Sequence, residues 1–393
     1  MDVNQALPLL AGLSPAQFMR RHWQKKPLMV RCAIPGFRPL LNRKDLFSLA
    51  ASEGVESRLI EQRANGWRMK QGPFPARSLP AVSKPGWTLL VQGVDLHVQA
   101  AHDLLQQFRF VPDARLDDLM ISFATAEGGV GPHFDSYDVF LLQASGRRRW
   151  RIGKQKDLEL QQGVPLKILQ NFEPEQEFVL EAGDMLYLPP RYAHDGIAEV
   201  EGSGGDADDC MTYSIGFRAP GQNELASELL QRLAGFCEDD EAAGQSIGRR
   251  PPPMYRDPGQ SATPTPAAMP ESLQVFAGKT IHEALKDPLK LACALGEYMT
   301  EVKPSVWFEQ AEDEWSDEQP DLVLDTKTRM MYDSHHVFIN GESYRAGGAD
   351  AKLMRRLADT RRLSRADTAQ ASRAALSLMA DWHDAGWLRL VPQ

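Results

Sequence analysis

Short apolar runs punctuated by glycine and proline dominate the first half of the chain. Pro27–Cys32, Trp87–Asp95, Asp118–Thr125, Tyr137–Ala144, Arg148–Gly153, Glu177–Gly183 and Met211–Phe217 carry β-branched and aromatic residues between turn signals. Many short strands so spaced predict a β-barrel or sandwich. One helix is predicted ahead of them over Ser14–Trp23, with Ser14 as its cap, Pro15 at its first position and Phe18 and Trp23 as an apolar stripe. After Pro220 the period changes. Asn223–Phe236 places Leu225, Leu229, Leu230 and Leu233 at helical spacing, a Pro-rich stretch covers Arg249–Pro270, and helical text resumes over Ile281–Thr300. Two strand-like runs, Asp321–Thr326 and His336–Tyr344, precede helices over about Ala349–Asp359 and Arg365–Ala385 and a terminal Trp387–Val391. Helices around a small hairpin fit a winged helix. The expected class is therefore mostly β plus α, with boundaries at 1–219, 220–300 and 301–393.

Composition narrows the partners. A chain of 393 residues has room for two or three domains. Its formal charge of −9 argues against bulk attachment to nucleic acid or an anionic membrane. Cys32, Cys210, Cys237 and Cys293 lack the paired spacing of a zinc site or a disulfide framework. The opening residues lack a basic segment with a long apolar core, and no apolar run reaches the roughly 20 residues of a membrane span. A cytoplasmic protein is expected.

The candidate chemistry begins at His133-Phe-Asp135. In extended backbone, residues i and i+2 share a face, so an imidazole and a carboxylate stand side by side. Glu181–Pro190 leads to His194 and a third ligand. Gly183, five residues, Pro189 and then His194 follow the cupin half-motif, except that Arg191 stands where that pattern has glycine. Two histidines and one carboxylate with open positions form the facial triad of non-haem Fe(II) oxygenases. Three unrelated hydrogen-bonded residues are the bland alternative, and the matched half-motifs favour the metal.

Such a site needs an anchor for a dicarboxylate co-substrate. In Gly146–Gly153, Arg148 shares a face with Trp150 and Ile152, while Arg147, Arg149 and Arg151 share the other. The Trp–Ile face belongs inside the barrel, which makes Arg148 the cation for a bidentate carboxylate pair. An internal salt bridge is the competing use. Asp118, Met120 and Ser122 share one strand face and Tyr137 lies on the metal-ligand face; Ser214 is a candidate for the same cavity. If Asp118 and Tyr137 point inward they form a polar pocket end; if they point outward, Leu119 and Ile121 are core.

The segments from Gly131 to Trp150, from Glu181 to Gly196 and from Ser214 to Pro220, with His22–Arg31 and Trp87–Asp95, together resemble the bacterial ribosomal oxygenases of the Jumonji-C class. The resemblance covers nearly the whole chain. It implies a cupin-like double-stranded β-helix, a helical dimerisation region giving a homodimer, and a C-terminal winged helix. It implies Fe(II), 2-oxoglutarate and O2 as the reaction components and hydroxylation at Cβ of an arginine in the sixteenth large-subunit ribosomal protein. By the resemblance, His133, Asp135 and His194 are iron ligands and Arg148 is the 2-oxoglutarate anchor, with Ser122 assisting. Asp118 and Tyr137 would meet the substrate guanidinium, and Met120 would pack on its stem. Relatives that hydroxylate histidine carry lysine at the anchor, so Arg148 favours the arginyl group. A histidyl hydroxylase and a non-enzymatic metal-binding cupin are the alternatives. The Arg-rich Lys352–Arg373 raises nucleic-acid binding, which the acidic Glu312–Asp321 opposes. Glu201–Asp209 reads as a local insertion.

Overall fold

The computed structural model describes residues 2–63, 66–199, 209–246, 253–258, 261–262, 267–313, 315, 321–345 and 347–391, without the side chains of 238–246. All of the 201–209 insertion but Asp209, and much of the Pro-rich stretch, lie outside the described residues. Two compact units result. One comprises Met1–Ala219 with Ser305–Trp307, the other Pro220–Pro304 with Phe308–Gln393.

In the first unit the strands are β1 (Leu28–Val30), β2 (Ser57–Arg63), β3 (Gly66–Gln71), β4 (Trp87–Val91), β5 (Leu116–Ala124), β6 (Val139–Ser145), β7 (Arg147–Gly153), β8 (Gln176–Leu180), β9 (Met185–Leu188), β10 (Ala193–Glu199) and β11 (Cys210–Phe217). Helices α1 (Pro15–Arg21), α2 (Arg43–Ala50) and α3 (Gln99–Gln106) are interleaved. Ser14 and Gln17 close a capping box on α1, and Asn42 caps α2, so these two helices begin where a side-chain oxygen can take a free N–H. An eight-stranded sheet runs β1-β9-β6-β11-β5-β4-β2-β3 and a three-stranded sheet runs β10-β7-β8. All the pairings are antiparallel. This is the cupin-like double-stranded β-helix.

Both faces of the large sheet are covered, and strand alternation sorts residues between them. Leu119, Ile121, Phe123, Phe140, Leu142, Tyr187 and Tyr213 join Phe18, Leu46, Leu104 and Phe108 from the helical layer in one core. On the other face, Leu141, Leu186 and Leu188 meet Trp150, Ile152 and Leu180 of the small sheet. Leu119 and Ile121 are thus core, yet Asp118, Met120 and Ser122 still face the barrel. The two readings of β5 were compatible because both faces are buried.

The second unit starts with α4 (Gln222–Ser246), α5 (Glu271–Ala284) and α6 (Pro288–Thr300). The helical text over Ile281–Thr300 is divided between α5 and α6, because Asp287 caps the N–H groups of Leu289 and Lys290 and Pro288 occupies the first position of α6. The winged helix follows: β12 (Leu322–Leu324), β13 (Met330–Tyr332), β14 (His336–Ile339), β15 (Glu342–Arg345), α7 (Gly348–Thr360), β16 (Arg362–Leu363), α8 (Arg365–Thr368), α9 (Arg373–Asp384) and β17 (Leu388–Leu390). Asn340 and Gly341 join β14 to β15 with φ of 48° and 91°, the left-handed pair that a two-residue hairpin demands. The continuous helix expected over Arg365–Ala385 is also divided, since Ser372 accepts from the Ala375 N–H and starts α9 afresh. Leu353, Leu357, Met379 and Trp382 close the core on Leu322 and Ile339.

Candidate metal centre and anion anchor

Three side chains from two segments converge inside the barrel. The ligand atoms of His133, Asp135 and His194 all lie within 4.8 Å of one another. His194 comes from β10 and leans over His133, with ring centroids 4.2 Å apart. Its Nε2 stands 3.6 Å from Asp135 Oδ2. His133 and Asp135 precede β6 in an extended segment rather than a regular strand. Only His133 is paired there, through an isolated bridge to His194. That bridge exchanges both backbone hydrogen bonds, at 2.9 and 2.8 Å, and locks the two ligand segments together. The shared face of residues i and i+2 survives.

The ring orientations follow from hydrogen bonding. His133 Nδ1 lies 2.8 Å from the Gly131 carbonyl and His194 Nδ1 lies 2.9 Å from the Tyr192 carbonyl. A carbonyl can only accept, so both protons sit on Nδ1 and both Nε2 lone pairs are free for a metal. Burial, with the His133 charge second, pushes His194 down to about 4 and keeps it neutral at ordinary pH. Arg191 donates its N–H to the Asp135 carbonyl at 2.7 Å and has φ of 63°. It adopts the left-handed conformation that explains glycine at this place in the half-motif. Two imidazoles and a carboxylate, with no fourth protein ligand among the described residues, suit iron in an open site.

Arg148 lies on the inner face of β7, 4% exposed, with its guanidinium over the Trp150 ring. Its Nε and Nη2 have no hydrogen-bond partner among the described residues. The arginines of the other face are spent on neighbouring strands. Arg149 bonds Glu199 and Glu177, and Arg151 bonds Asp195 at 2.5 Å. A buried cation with unused donors is costly unless an anion arrives, and a dicarboxylate supplies one.

The remaining candidates are placed as follows. Ser122 is buried and donates to the Thr212 carbonyl at 3.3 Å. Met120 and Ser214 are register partners on β5 and β11, both half-buried. Tyr137 is 39% exposed and bonds Asp135 through its phenol. Desolvation of its hydroxyl, and then the carboxylates of Asp135 and Asp118, raise that phenol above its usual range. Asp118 is buried, and its Oδ2 accepts from Gln92 Nε2 at 2.8 Å and the Gly93 N–H at 3.1 Å. It holds the turn after β4.

Two glycines went unnoticed in the sequence. Gly131, with φ of +78°, would place a Cβ 2.7 Å from Ile168 and 2.8 Å from Trp67. At Gly196 a Cβ would stand 2.6 Å from the Trp150 ring. Each makes room beside a ligand histidine or the inner wall. Only the position of Gly131, two residues before His133, could have drawn attention.

Comparison with known proteins agrees with this geometry. Residues 103–225 match the JmjC domain family and residues 283–389 the ROXA-like winged helix. The ribosomal protein uL16 3-hydroxylase of Escherichia coli K12 is 33% identical over 312 residues, spanning 78% of this chain and 76% of that protein. A probable ribosomal oxygenase of Haemophilus influenzae is 34% identical over 233 residues, 58% of this chain and 54% of its own. The solved structure of YcfD, a ribosomal oxygenase from E. coli in complex with cobalt and 2-oxoglutarate, superposes with a TM-score of 0.78 at 28% identity. That match covers 97% of this chain and 99% of the other.

Proposed function

The chain belongs to the JmjC ribosomal oxygenases, 2-oxoglutarate-dependent enzymes, and on that premise we propose that it hydroxylates an arginine, at Cβ, in the ribosomal protein uL16. The observation that carries the reading is the pairing of a three-ligand centre with a buried, partly unpartnered Arg148 in the same barrel. His133, Asp135 and His194 would hold Fe(II), and Arg148, assisted by Ser122, the distal carboxylate of 2-oxoglutarate. An iron ion held there would supply the chemistry that couples oxidative decarboxylation of 2-oxoglutarate to insertion of one oxygen atom into a substrate C–H bond. The chain's own part is to fix three ligands, neutralise the co-substrate and keep water out of an apolar barrel.

Substrate choice is assigned to Asp118, Met120, Tyr137 and Ser214. What supports it is the inward face of β5, the pairing of Met120 with Ser214, and the closeness of Tyr137 to Asp135. A carboxylate, a phenol and a methionine suit a guanidinium on an apolar stem. We assign the catalytic barrel to 1–219, a dimerising helical region to 220–300 and the winged helix to 301–393. Leu230 at 53% and Ile281 at 60% exposure, with Val275, Leu291 and Leu295, leave apolar helix surface that a second copy would cover in a homodimer. No described helix is long and apolar enough to cross a membrane. A ribosomal protein substrate fits a cytoplasmic enzyme.

The test is incubation with Fe(II), 2-oxoglutarate, air and a uL16 peptide centred on arginine, or its lysine and histidine variants. Succinate release and a mass gain of one oxygen on the arginine peptide alone are expected, and Asp135→Ala should abolish both. Preference for the histidine peptide would move the chain to the histidyl branch. Metal binding with no succinate from any peptide would favour the non-enzymatic cupin.

A further inference from the structure

Trp150 Nε1 is a second buried donor in the barrel with no hydrogen-bond partner among the described residues. The ring is 4% exposed, so water does not satisfy that N–H from outside. An unpaired buried donor is disfavoured unless something fills the place. Its position says what does. In the ladder between β7 and β10, Ile152 pairs with His194, Trp150 with Gly196 and Arg148 with Ala198. The metal ligand and the anion anchor are therefore four strand positions apart, roughly 13 Å along the backbone, and Trp150 is midway between them. Its ring lies 5.8 Å from the His194 ring and 5.7 Å from the Arg148 guanidinium, centroid to centre. A molecule that reaches from the metal to Arg148 passes over this indole. Gly196 sharpens the placement: a Cβ there would lie 2.6 to 2.8 Å from three carbons of the six-membered ring. Distances so nearly equal to three consecutive ring atoms put that point over the face of the ring, so β10 covers this face and leaves the N–H, which lies in the ring plane, for another neighbour.

We propose that the Trp150 indole N–H donates to the bound 2-oxoglutarate, as a second anchor beside Arg148. The inference rests on the proposed 2-oxoglutarate site. It adds a neutral, directional donor to a cationic one. Arg148 supplies charge, and Trp150 fixes where along the inner wall the carboxylate rests. The indole cannot accept, so it favours an anion over water or a cationic side chain at this point.

Trp150→Phe removes the N–H and keeps a ring against Gly196 and His194. In the full-length protein loaded with Zn(II), calorimetry should show 2-oxoglutarate binding weakened about ten- to hundred-fold, the loss of one hydrogen bond to a charged group. Zn(II) affinity should not change. In wild type labelled with 15N-tryptophan, one indole resonance, assigned by its absence from Trp150→Phe, should shift on adding 2-oxoglutarate. If that variant does not fold, assignment through Trp150→Tyr serves the same purpose. An unshifted Trp150 resonance, or unchanged 2-oxoglutarate affinity in the variant, would overturn the proposal while binding that depends on Arg148 stood intact. Weaker Zn(II) binding in Trp150→Phe would overturn it too, by making the ring a support for His194. A wild type that binds no 2-oxoglutarate would defeat the underlying reading itself.

Discussion

His133 and His194 are aimed by the same device, an Nδ1–H bonded to the carbonyl two residues upstream. Each ligand thus carries its own orienting group on its own segment, and the site is set before any metal arrives. Gly131 is the sensitive point of this arrangement, since its carbonyl aims His133 while Trp67 and Ile168 occupy the space that a Cβ would need. Gly131→Ala is expected to lower Zn(II) affinity about 10- to 100-fold, read by calorimetry, the usual scale for disturbing a ligand's support. Gly12→Ala is the control, because Gly12 has a similar φ of +76° with nothing within 4 Å. Equal losses in the two variants would assign the effect to backbone strain alone. The ligand triad could be read from the spacing of His133, Asp135 and Gly183–His194, because i and i+2 alternation needs no tertiary information. Gly131 could not, because its constraint comes from Trp67 and Ile168, remote in sequence. The inward burial of Arg148 was readable by the same alternation, as its face was marked by Trp150 and Ile152. Arg148→Lys keeps the charge and loses the planar fork, so KM for 2-oxoglutarate should rise about ten-fold. Arg149→Lys, which disturbs exposed bonds to Glu199 and Glu177, should leave KM unchanged in the same succinate assay.

The elements that were readable are those whose apolar period is undiluted. β5, β6 and β11 are largely buried on both faces, β7 alternates an outer arginine face with the buried Arg148–Trp150–Ile152 face, and their strand-like runs stand out from the turns around them. The hairpin of β2 and β3 escaped notice because β3 is the edge of the large sheet and carries Gly66, Arg68 and Lys70 at exposed positions. Charged edges resist sheet-to-sheet pairing, and the same charges hide the strand from a hydrophobicity reading. β10 escaped for another reason. It contains His194, Asp195 and Gly196, chosen for ligation, salt bridging and space beside Trp150. The helical text after Pro220 was visible as such, while its breaks at Pro288 and Ser372 depend on caps that outweigh continuing periodicity. In the proposed homodimer a second copy covers the apolar surface of that region. α5 buries none of its residues, although it carries Val275 and Ile281. Ile281→Glu should therefore convert the proposed dimer to a monomer in light scattering at micromolar concentration and leave the Zn(II) affinity of the barrel unchanged. A wild type already monomeric under those conditions would remove the dimer.

At the scale of the whole molecule the informative quantity is charge. The chain carries a formal −9, whereas the proposed substrate belongs to the ribosomal proteins, which must themselves meet an RNA polyanion. Attraction between an acidic enzyme and a basic protein acts over a Debye length, about 8 Å at physiological ionic strength, so it governs encounter more than the bound state. 2-Oxoglutarate is a dianion and gains nothing from the molecule's net field. In the proposed site its binding would depend on Arg148 at short range inside the barrel, where salt screens weakly. Two salt responses should therefore separate. For full-length uL16, kcat/KM should fall several-fold as salt is raised through physiological ionic strength, with kcat unchanged, because an association step is being screened. KM for 2-oxoglutarate should stay nearly flat across the same series. A short arginine peptide, with fewer charges, should lie between them. If uL16 turnover were indifferent to salt while the peptide and protein behaved alike, recognition would reside in the local contacts around Asp118 and Tyr137 alone. The acidic surface would then serve solubility and not substrate capture.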